Sequence, residues 1–438
     1  MYRTARQLSE AFADGSDTPF LALERSLEAL RHVPAAFISV SAQATAEAEA
    51  EASGRRWSKH QPLSPLDGVP VAWKDLIDMA GTVTTSGRKG VTAVARQDAP
   101  IVARARAAGM VSVGKTNLSE LAYSGLGVNP HHGTPDHAVV HGHVPGGSSS
   151  GAAVSVAAGV VPLSIGTDTG GSIRIPAAFN GLVGYRPTVG HYDQAGIQAL
   201  APSFDTVGPL AQTVGDIRLF DEVFSGPSGE PAAVPTLAYD HEFLAGLPIQ
   251  PEVWAGFLAA IERLREAGLE IENRPLTVWR DAFTLVTTAG WPGAVEAYRT
   301  HQELLSTPEA EWLDPRVRSR LLLASGVSAD HHAQVMARRA ELMGRMATEM
   351  NVLMLTPTVA LTAPALSAVE QGEDFARLNL DTLRFTMIGS LLDQPGVTLP
   401  AGADSAGLPY GLLLSAPRHH DAQLLGAAAE VEQRLTPG

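Results

Sequence analysis

Two glycine- and serine-rich segments, separated by an apolar stretch, constrain this chain more than any other feature of its sequence. They are VPGGSSSGAA (144–153) and GTDTGGSIRIPAAF (166–179). Glycine allows backbone N–H groups to converge on an anion without obstruction by side chains. A flexible linker has no apolar spacing, whereas residues 152–165 are patterned like packed structure. The segments therefore predict structured loops with a serine beside converging N–H groups, as acyl transfer requires.

Short apolar strands and helical patterns surround these segments and predict an α/β fold whose loops carry the chemistry. GVPVAW (68–73) and MVSVG (110–114) have the length and composition of buried strands. Residues 99–108 have a helical pattern, and the first 55 residues are also predicted to be helical.

The second half of the chain is predicted to be mostly helical over residues 280–350. It follows a Gly/Pro/Ser stretch at 225–235 that is typical of a linker or a long loop. Strands return at NVLMLTPTVA and GVTLPAG, and the last helix is DAQLLGAAAEVEQRL. This return of strands favours one core with a helical insertion over several independent domains.

The composition excludes several functional classes. The chain has 438 residues with 46 acidic and 32 basic side chains, and its net charge of −14 argues against direct binding of nucleic acid. It has no cysteine, which excludes disulfides, thiolate nucleophiles and cysteine-bound zinc. The N-terminus is charged, and the longest uncharged apolar stretch, residues 152–166, is too short to span a bilayer. We expect a soluble cytoplasmic protein that makes no membrane contact.

Two short motifs match known patterns without the context that those patterns need. GMVSVGKT (109–116) fits the letters of a phosphate-binding P-loop, but its middle residues are apolar and β-prone, which predicts a strand. SVGK (112–115) fits the S-x-x-K motif of penicillin-binding proteins, but the SDN and KTG partner motifs do not occur in the sequence. A nucleotide-phosphate site in the Gly-Ser segments is disfavoured because Arg174 is their only basic residue.

Five histidines crowd into residues 131–143. A zinc site is one interpretation, but the segment lacks an H-E-x-x-H pattern and contains Gly and Pro in place of helical spacing. A histidine-rich surface loop is therefore the preferred prediction. The five are His131, His132, His137, His141 and His143.

The region from about 66 to 215 resembles the amidase signature family of amide hydrolases. The resemblance is carried by LDGVPVAWKDLIDMAGTVTTSG, the two Gly-Ser segments, NGLVGYRPT and SFDTVGPLAQTV, and it resumes at VLMLTPTVALTAPAL and VTLPAGADSAGLPYGLLL. It implies a single large domain, residues 1–438, with a mixed β-sheet core flanked by helices. Residues 66–215 would form the signature core. Residues 225–345 match only in pattern and would form a variable, mainly helical insertion.

The resemblance also implies a Ser–cis-Ser–Lys triad. Ser172 aligns with the family's nucleophile, Ser148 with the serine that follows a cis peptide bond, and Lys74 with the base. The oxyanion hole would be lined by the backbone amides of Thr169, Gly170, Gly171 and Ser172. Supporting roles fall to Ser149 within the lysine–serine network, and to Asp168 and Arg174, which we expect to pair and hold the loop.

This chemistry depends on a neutral lysine. An exposed lysine, with a pKa of about 10.4, is neutral roughly one time in a thousand at pH 7.5, and burial raises that fraction. Lys74 follows an apolar run, as burial would need. The carboxylates of Asp75 and Asp78 would oppose the effect, so we expect both to point away from the amine. Ser148 can then relay a proton from Ser172, because a hydroxyl both donates and accepts.

We expect an amidase that hydrolyses the C–N bond of small linear amides through an acyl-enzyme, with no metal and no organic cofactor. One alternative is the A subunit of a glutamine-dependent aminoacyl-tRNA amidotransferase, which shares the triad but works beside a subunit that holds the tRNA. A further alternative is a hydrolase of urea-type substrates such as allophanate or carboxybiuret. The stretch RFTMIGSLLDQPGVTLPAG looks more like stand-alone amidases. The expected partner is a small-molecule amide, with a homodimer as an assembly open to the chain.

Overall fold

A mixed β-sheet forms the centre of the molecule in a computed structural model that describes residues 4–226, 235–370 and 372–435. Its strands are β1 (Phe37–Val40), β2 (Pro70–Lys74), β3 (Val111–Thr116), β4 (Leu163–Asp168), β5 (Val183–Arg186), β6 (Thr206–Ala211), β7 (Leu237–Tyr239), β8 (Ile271–Asn273), β9 (Leu353–Pro357), β10 (Gly396–Ala403) and β11 (Pro409–Ser415). Their order across the sheet is β1-β3-β2-β4-β6-β5-β10-β11-β9-β7-β8. Strand β2 runs parallel to β3 and β4, whereas β10 runs antiparallel to β5 and β11.

Helices flank this sheet, which confirms the predicted α/β fold class. They are α1 (Ala5–Ala13), α2 (Pro19–Leu30), α3 (Gln43–Trp57), α4 (Pro100–Ala107), α5 (Ser150–Ala157), α6 (Arg174–Phe179), α7 (Val214–Ser225), α8 (His241–Ala245), α9 (Pro251–Glu266), α10 (Thr277–Ala289), α11 (Pro292–Thr300), α12 (Gln302–Leu305), α13 (Pro315–Leu323), α14 (Ala329–Glu349), α15 (Gly372–Leu383), α16 (Thr386–Leu391) and α17 (Asp421–Leu435). Helix α5 packs on β2 and β4, and α17 packs on β10 and β11. Within residues 4–226, 235–370 and 372–435, none of these helices combines the length and the apolar composition that crossing a bilayer requires.

The three strands that lead to the site are buried along their whole length. Every residue of β2, β3 and β4 is buried, as expected for parallel strands that are covered on both faces. The strands predicted at 68–73 and 110–114, and the helix predicted between them, are therefore confirmed. The P-loop-like residues form β3, in which Lys115 is buried with its Nζ 2.9 Å from an oxygen of Asp75. This lysine is paired inside the core and cannot cradle a phosphate.

One local prediction needs correction, one becomes more specific, and one lies mostly beyond the described residues. The N-terminal segment is not wholly helical, because it contains β1, which pairs antiparallel with β3 at the edge of the sheet. So short a strand is stabilised more by pairing with a strand distant in the sequence than by its local residue pattern. The stretch 225–345 is mainly helical in its described residues, and its two short strands, β7 and β8, extend the sheet beside β9. The predicted linker at 225–235 falls mostly outside the described residues.

Candidate active site

The buried amine of Lys74 lies at the end of β2 and contacts the first Gly-Ser segment. Its side chain is fully buried, and its Nζ lies 2.7 Å from Ser148 Oγ and 2.8 Å from Thr167 Oγ1. The carbonyl oxygen of Thr167 lies 3.4 Å from the same nitrogen. Because β2 and β4 are adjacent parallel strands, their carboxyl ends bring residues 74 and 167 to one edge of the sheet.

Burial lowers the pKa of Lys74 to about 7, and the carboxylates of Asp168 and Asp205 oppose that effect. About half of the lysine side chains are therefore neutral at pH 7. The neighbouring Asp75 is turned away as predicted, since its carboxylate pairs with Lys115 and accepts a 2.8 Å hydrogen bond from the Thr85 N–H. The burial that the sequence only suggested is thus strong enough to provide a base near neutral pH.

The first Gly-Ser segment presents Ser148 through a crowded backbone. The Gly147–Ser148 peptide bond is cis, as the family resemblance implied. A Cβ at Gly147 would lie 2.5 Å from the backbone nitrogen of Gly127 and 2.7 Å from the carbonyl oxygen of Ser124, so only glycine fits there. Ser148 itself is completely buried. The segment is therefore a packed turn and not a flexible linker.

The second segment presents Ser172 between β4 and α6. Ser172 accepts a backbone hydrogen bond of 3.2 Å from the Ser149 N–H, which joins the two segments directly. Gly171 has a φ of +138°, and a Cβ there would overlap the Thr386 hydroxyl, so this position also requires glycine. That hydroxyl donates to the Gly170 carbonyl at 2.7 Å and fixes the orientation of the loop.

Asp168 holds this second loop together. Its carboxylate accepts hydrogen bonds from Arg174 Nε at 3.0 Å and Nη2 at 2.9 Å, and Arg186 Nη1 lies 3.2 Å away. Burial alone would raise the pKa of this carboxyl, but the two guanidinium groups keep it well below its usual range. The pairing expected between Asp168 and Arg174 is present, and it shapes the loop from inside the core.

The same carboxylate engages one of the four amides that are predicted to line the oxyanion hole. The Gly171 N–H donates to Asp168 Oδ1 at 2.8 Å, and the Ile173 N–H donates to Oδ2 at 3.2 Å. The Gly171 amide is therefore already engaged in holding the loop. The oxyanion hole stays a prediction, and among the described residues Thr169, Gly170 and Ser172 are the amides of the predicted set that form no bond to Asp168.

Several side chains of the site were not found by sequence reasoning. Ser149 Oγ donates to the Thr167 carbonyl at 3.2 Å, so the predicted serine joins the lysine network through a threonine that was overlooked. Thr169 Oγ1 donates to Asp205 at 2.6 Å. Thr167 lies in the GTDTGGS segment, but nothing in its local pattern indicates that it faces an amine 93 positions earlier in the chain.

The histidine-rich segment forms no shared centre. His137, predicted to lie on the surface, is buried, and its Nε2 is 2.7 Å from the Phe179 carbonyl oxygen. His141 instead contacts Asp136, with Nδ1 2.8 Å from a carboxylate oxygen. These two rings therefore have separate protein partners. The contact of His137 with Phe179 attaches the histidine-rich loop to the end of α6, so the prediction that His137 lies on the surface is wrong.

A cavity of about 230 Å³ opens at the second Gly-Ser segment. Of the predicted triad, Ser172 borders this cavity, whereas Ser148 and Lys74 are fully buried. Most of the remaining lining is apolar. The cavity is lined by Ala122, Tyr123, Ser124, Gly125, Thr169, Gly170, Ser172, Leu200, Trp291, Ala294, Arg320, Leu323, Leu380, Leu383 and Met387.

The fold and the cavity define an α/β protein whose mixed sheet carries, at its loops, a cavity of the kind that suits a small molecule. The amidase family model matches residues 22–425, and the chain therefore belongs to the amidase family. It is accordingly a hydrolase that acts on amide C–N bonds, as the sequence resemblance predicted.

Comparison with individual proteins agrees with this assignment. The chain is 36% identical to 2-amino-5-chloromuconic acid deaminase of Comamonas testosteroni, covering 86% of this chain and 84% of the relative. It is 33% identical to the A subunit of the glutamyl-tRNA(Gln) amidotransferase of Symbiobacterium thermophilum, covering 97% of this chain and 95% of the relative. A crystal structure of an amidase superposes with a TM-score of 0.89 at 30% identity, covering 99% of this chain and 100% of that chain.

Proposed function

We propose that this chain hydrolyses small linear amides through an acyl-enzyme on Ser172, with Ser148 and Lys74 as a proton relay. The observation that supports this most is the 2.7 Å contact between the buried Lys74 amine and Ser148 Oγ. A neutral amine has two N–H groups and one lone pair. Thr167 offers two acceptors to those N–H groups, its hydroxyl and its carbonyl, so the lone pair can face the Ser148 hydroxyl.

In the first half-reaction, Ser172 Oγ forms a bond to the amide carbonyl carbon. Its proton moves to Ser148 Oγ while the Ser148 proton moves to Lys74 Nζ. The charge on the carbonyl oxygen is stabilised by the N–H groups of Thr169, Gly170 and Ser172, each donor contributing roughly a hundred- to a thousandfold in rate. The C–N bond then breaks, and the leaving amine takes the proton that the relay returns.

The second half-reaction removes the acyl group. Water bonds to the ester carbonyl carbon while its proton passes through Ser148 to Lys74. The bond between Ser172 Oγ and the acyl carbon then breaks, and the returning proton restores the serine hydroxyl. The products are a carboxylic acid and an amine or ammonia, and the enzyme ends in its starting state.

The test is the rate of product formation from a panel of aliphatic, aromatic, urea-type and carboxylated amides. S172A and S148A are each expected to lower turnover by about a thousandfold or more. Ser150 supplies a matched control, because it lies in the same segment and, among the described residues, its buried hydroxyl has no hydrogen-bond partner. S150A should keep near-normal turnover. Near-normal turnover by S172A would show that the assignment is wrong.

The acyl-enzyme can be observed directly. Quenching the enzyme during turnover should yield a protein whose mass is increased by the acyl group, and peptide mapping should place that group on Ser172. K74M, which lacks the base for the water step, should accumulate the adduct when it is loaded with an activated ester. An adduct on any other residue would contradict the proposed nucleophile.

A second candidate function is that of the A subunit in a tRNA-dependent amidotransferase, favoured by the 33% identity over 97% of this chain to such a protein. That function predicts amide cleavage only in the presence of partner subunits. The purified chain acting alone on simple amides would support the hydrolase. The deaminase relative adds 2-amino-5-chloromuconic acid to the substrate panel.

A further inference from the structure

Helices α15 and α16 form part of the wall of the cavity that Ser172 borders, and we call residues 372–391 the wall segment. Leu380 and Leu383 of α15 and Met387 of α16 line the cavity, and Leu380 is also more than half exposed to solvent. These three side chains are apolar, so a molecule in the cavity meets the wall segment through hydrocarbon contacts. The wall segment contributes no residue to the predicted triad, oxyanion hole or supporting set.

The Leu383 side chain lies close to both loops of the site. A Cβ at Gly170, in the second Gly-Ser segment, would lie 3.6 Å from Leu383 Cδ2, and a Cβ at Gly125 would lie 3.4 Å from Leu383 Cγ. The Gly125 carbonyl accepts a 2.7 Å hydrogen bond from the Gly147 N–H, immediately before Ser148. One apolar side chain of the cavity wall is therefore packed beside the second Gly-Ser segment and beside the loop that holds the first.

Asn379, one residue before Leu380, bonds to the loop that holds the first Gly-Ser segment. Its Oδ1 accepts hydrogen bonds from the Gly125 N–H at 2.8 Å and from Ser124 Oγ at 3.1 Å. The side chain is buried, and its Nδ2 has no hydrogen-bond partner among the residues that the structure describes. The position therefore acts as an acceptor. Gly125 is bonded through its N–H to the wall segment and through its carbonyl to Gly147.

Thr386 holds the second Gly-Ser segment in a similar way. Its hydroxyl is completely buried and donates to the Gly170 carbonyl at 2.7 Å. The peptide group between Gly170 and Gly171 is thus fixed at its carbonyl by α16 and at its N–H by Asp168. Rotation of that peptide group would move the adjoining N–H groups of Gly170 and Ser172, which the proposed function assigns to the oxyanion hole. Donors of this kind act only when they are aimed at the position of the oxyanion.

We propose that the wall segment couples occupation of the cavity to the geometry of both Gly-Ser segments, with Asn379 and Thr386 as positioning residues. This inference rests on the proposed function and adds how the reaction selects its substrate. An acyl group long enough to pack on Leu380, Leu383 and Met387 fixes the wall segment, whose hydrogen bonds then fix the loops. Contact energy far from the scissile bond is thereby used at the reacting centre, so it raises kcat and does not only lower KM.

The first experiment measures kcat and KM for acetamide, butanamide and hexanamide. In the unmodified enzyme, kcat should rise at least about tenfold from acetamide to hexanamide. T386V keeps the volume of the side chain but not its hydroxyl, and it should lose most of that rise. The kcat for hexanamide should fall about 10- to 50-fold, while kcat for acetamide and KM for hexanamide change less than about threefold. T386S keeps the hydroxyl and should restore the rise.

The same experiment tests the first loop through Asn379. N379L removes the acceptor and should flatten the dependence of kcat on chain length as T386V does. N379D keeps an acceptor oxygen in a side chain of the same shape and should retain most of the rise, because burial favours the uncharged carboxyl. Urea titration of each variant verifies that it is folded under the conditions of the assay.

Thr382 supplies a matched control within the wall segment. It is buried in α15, and its hydroxyl donates at 2.8 Å to the Leu378 carbonyl of its own helix. T382V removes a buried hydroxyl without breaking a hydrogen bond to either loop, so it should leave the dependence of kcat on chain length unchanged. A loss of kcat in T386V that is equal for the three amides would overturn the coupling and leave the amidase function intact, because a structural defect slows every substrate alike. The same flattening in T382V would also overturn it.

Hydrogen exchange reads each loop separately and needs no turnover. In S172A, hexanamide should slow amide exchange in peptides that cover residues 144–153 and 166–173. Adding T386V should abolish the protection of 166–173 alone, and adding N379L that of 144–153 alone, while calorimetry still detects bound hexanamide. Protection that both double variants retain, or no binding of hexanamide to S172A, would overturn the coupling. If no amide is turned over but protection follows this crossed pattern, the proposed function fails and the coupling stands.

Discussion

The pH dependence of the reaction provides a direct test of the relay. Burial lowers the pKa of Lys74 from the ordinary 10.5 to about 7, which corresponds to about 5 kcal/mol against the charged form. The base must be neutral to accept a proton, so kcat/KM should rise about tenfold per pH unit below 7 and level off above 7. At pH 7 the neutral fraction is about half, roughly a thousand times that of an exposed lysine.

Changing Thr167 should move this profile in a defined direction. Its hydroxyl accepts from Lys74 Nζ at 2.8 Å and favours the ammonium form. T167V removes that acceptor, so the pKa of Lys74 should fall and the midpoint should move down by about one pH unit, or about 1.4 kcal/mol. T167S keeps the hydroxyl and should keep the midpoint of the unmodified enzyme.

The assay is the initial rate of acid formation between pH 5 and 9, measured by chromatography of quenched samples at low substrate. Glu120 needs a control, because burial also raises the pKa of its carboxyl to about 7. E120Q should retain the ascending limb if Lys74 is responsible for it. Three outcomes would each refute the assignment of Lys74 as the base. The ascending limb of the pH profile could be lost in E120Q, the rate of the unmodified enzyme could be flat across pH 7, or T167V could leave the midpoint unchanged.

Two further substitutions test the loop that carries Ser172. D168N leaves the buried Arg174 without its charge partner and leaves Arg186 with only the Asp393 carboxylate, 3.8 Å away. It should lower the free energy of unfolding by about 3–5 kcal/mol, measured by urea titration; a loss below about 1 kcal/mol would contradict the role given to this carboxylate. G171A would bring a Cβ into overlap with Thr386 at a φ of +138°, so turnover in the amide assay should fall at least tenfold. G190A is the control, because a Cβ at Gly190 has no atom within 4 Å, and its turnover in the same assay should fall less.

Several features of the candidate site have local signals in the sequence. Glycine at 147 and 171 is required by backbone geometry, and the buried strand ending at Lys74 is visible as an apolar run. The family resemblance added the roles proposed for Ser148 and Ser172, and the fold brings the lysine and the cis serine into contact. Features that depend on packing between distant segments were missed, such as β1 at the sheet edge and the burial of His137.

What the sequence by itself determined is therefore the α/β class, the two structured Gly-Ser loops and the residue types able to perform acyl transfer. Only the tertiary structure decided how basic Lys74 is, because its pKa depends on complete burial and on acceptors and charges that lie about 70 to 130 positions away in the chain. The same holds for Arg320, since whether an arginine on a helix meets a carboxylate or borders a cavity depends on how that helix packs against its neighbours. Electrostatic energies follow distance and burial in space, and a linear sequence does not contain either quantity.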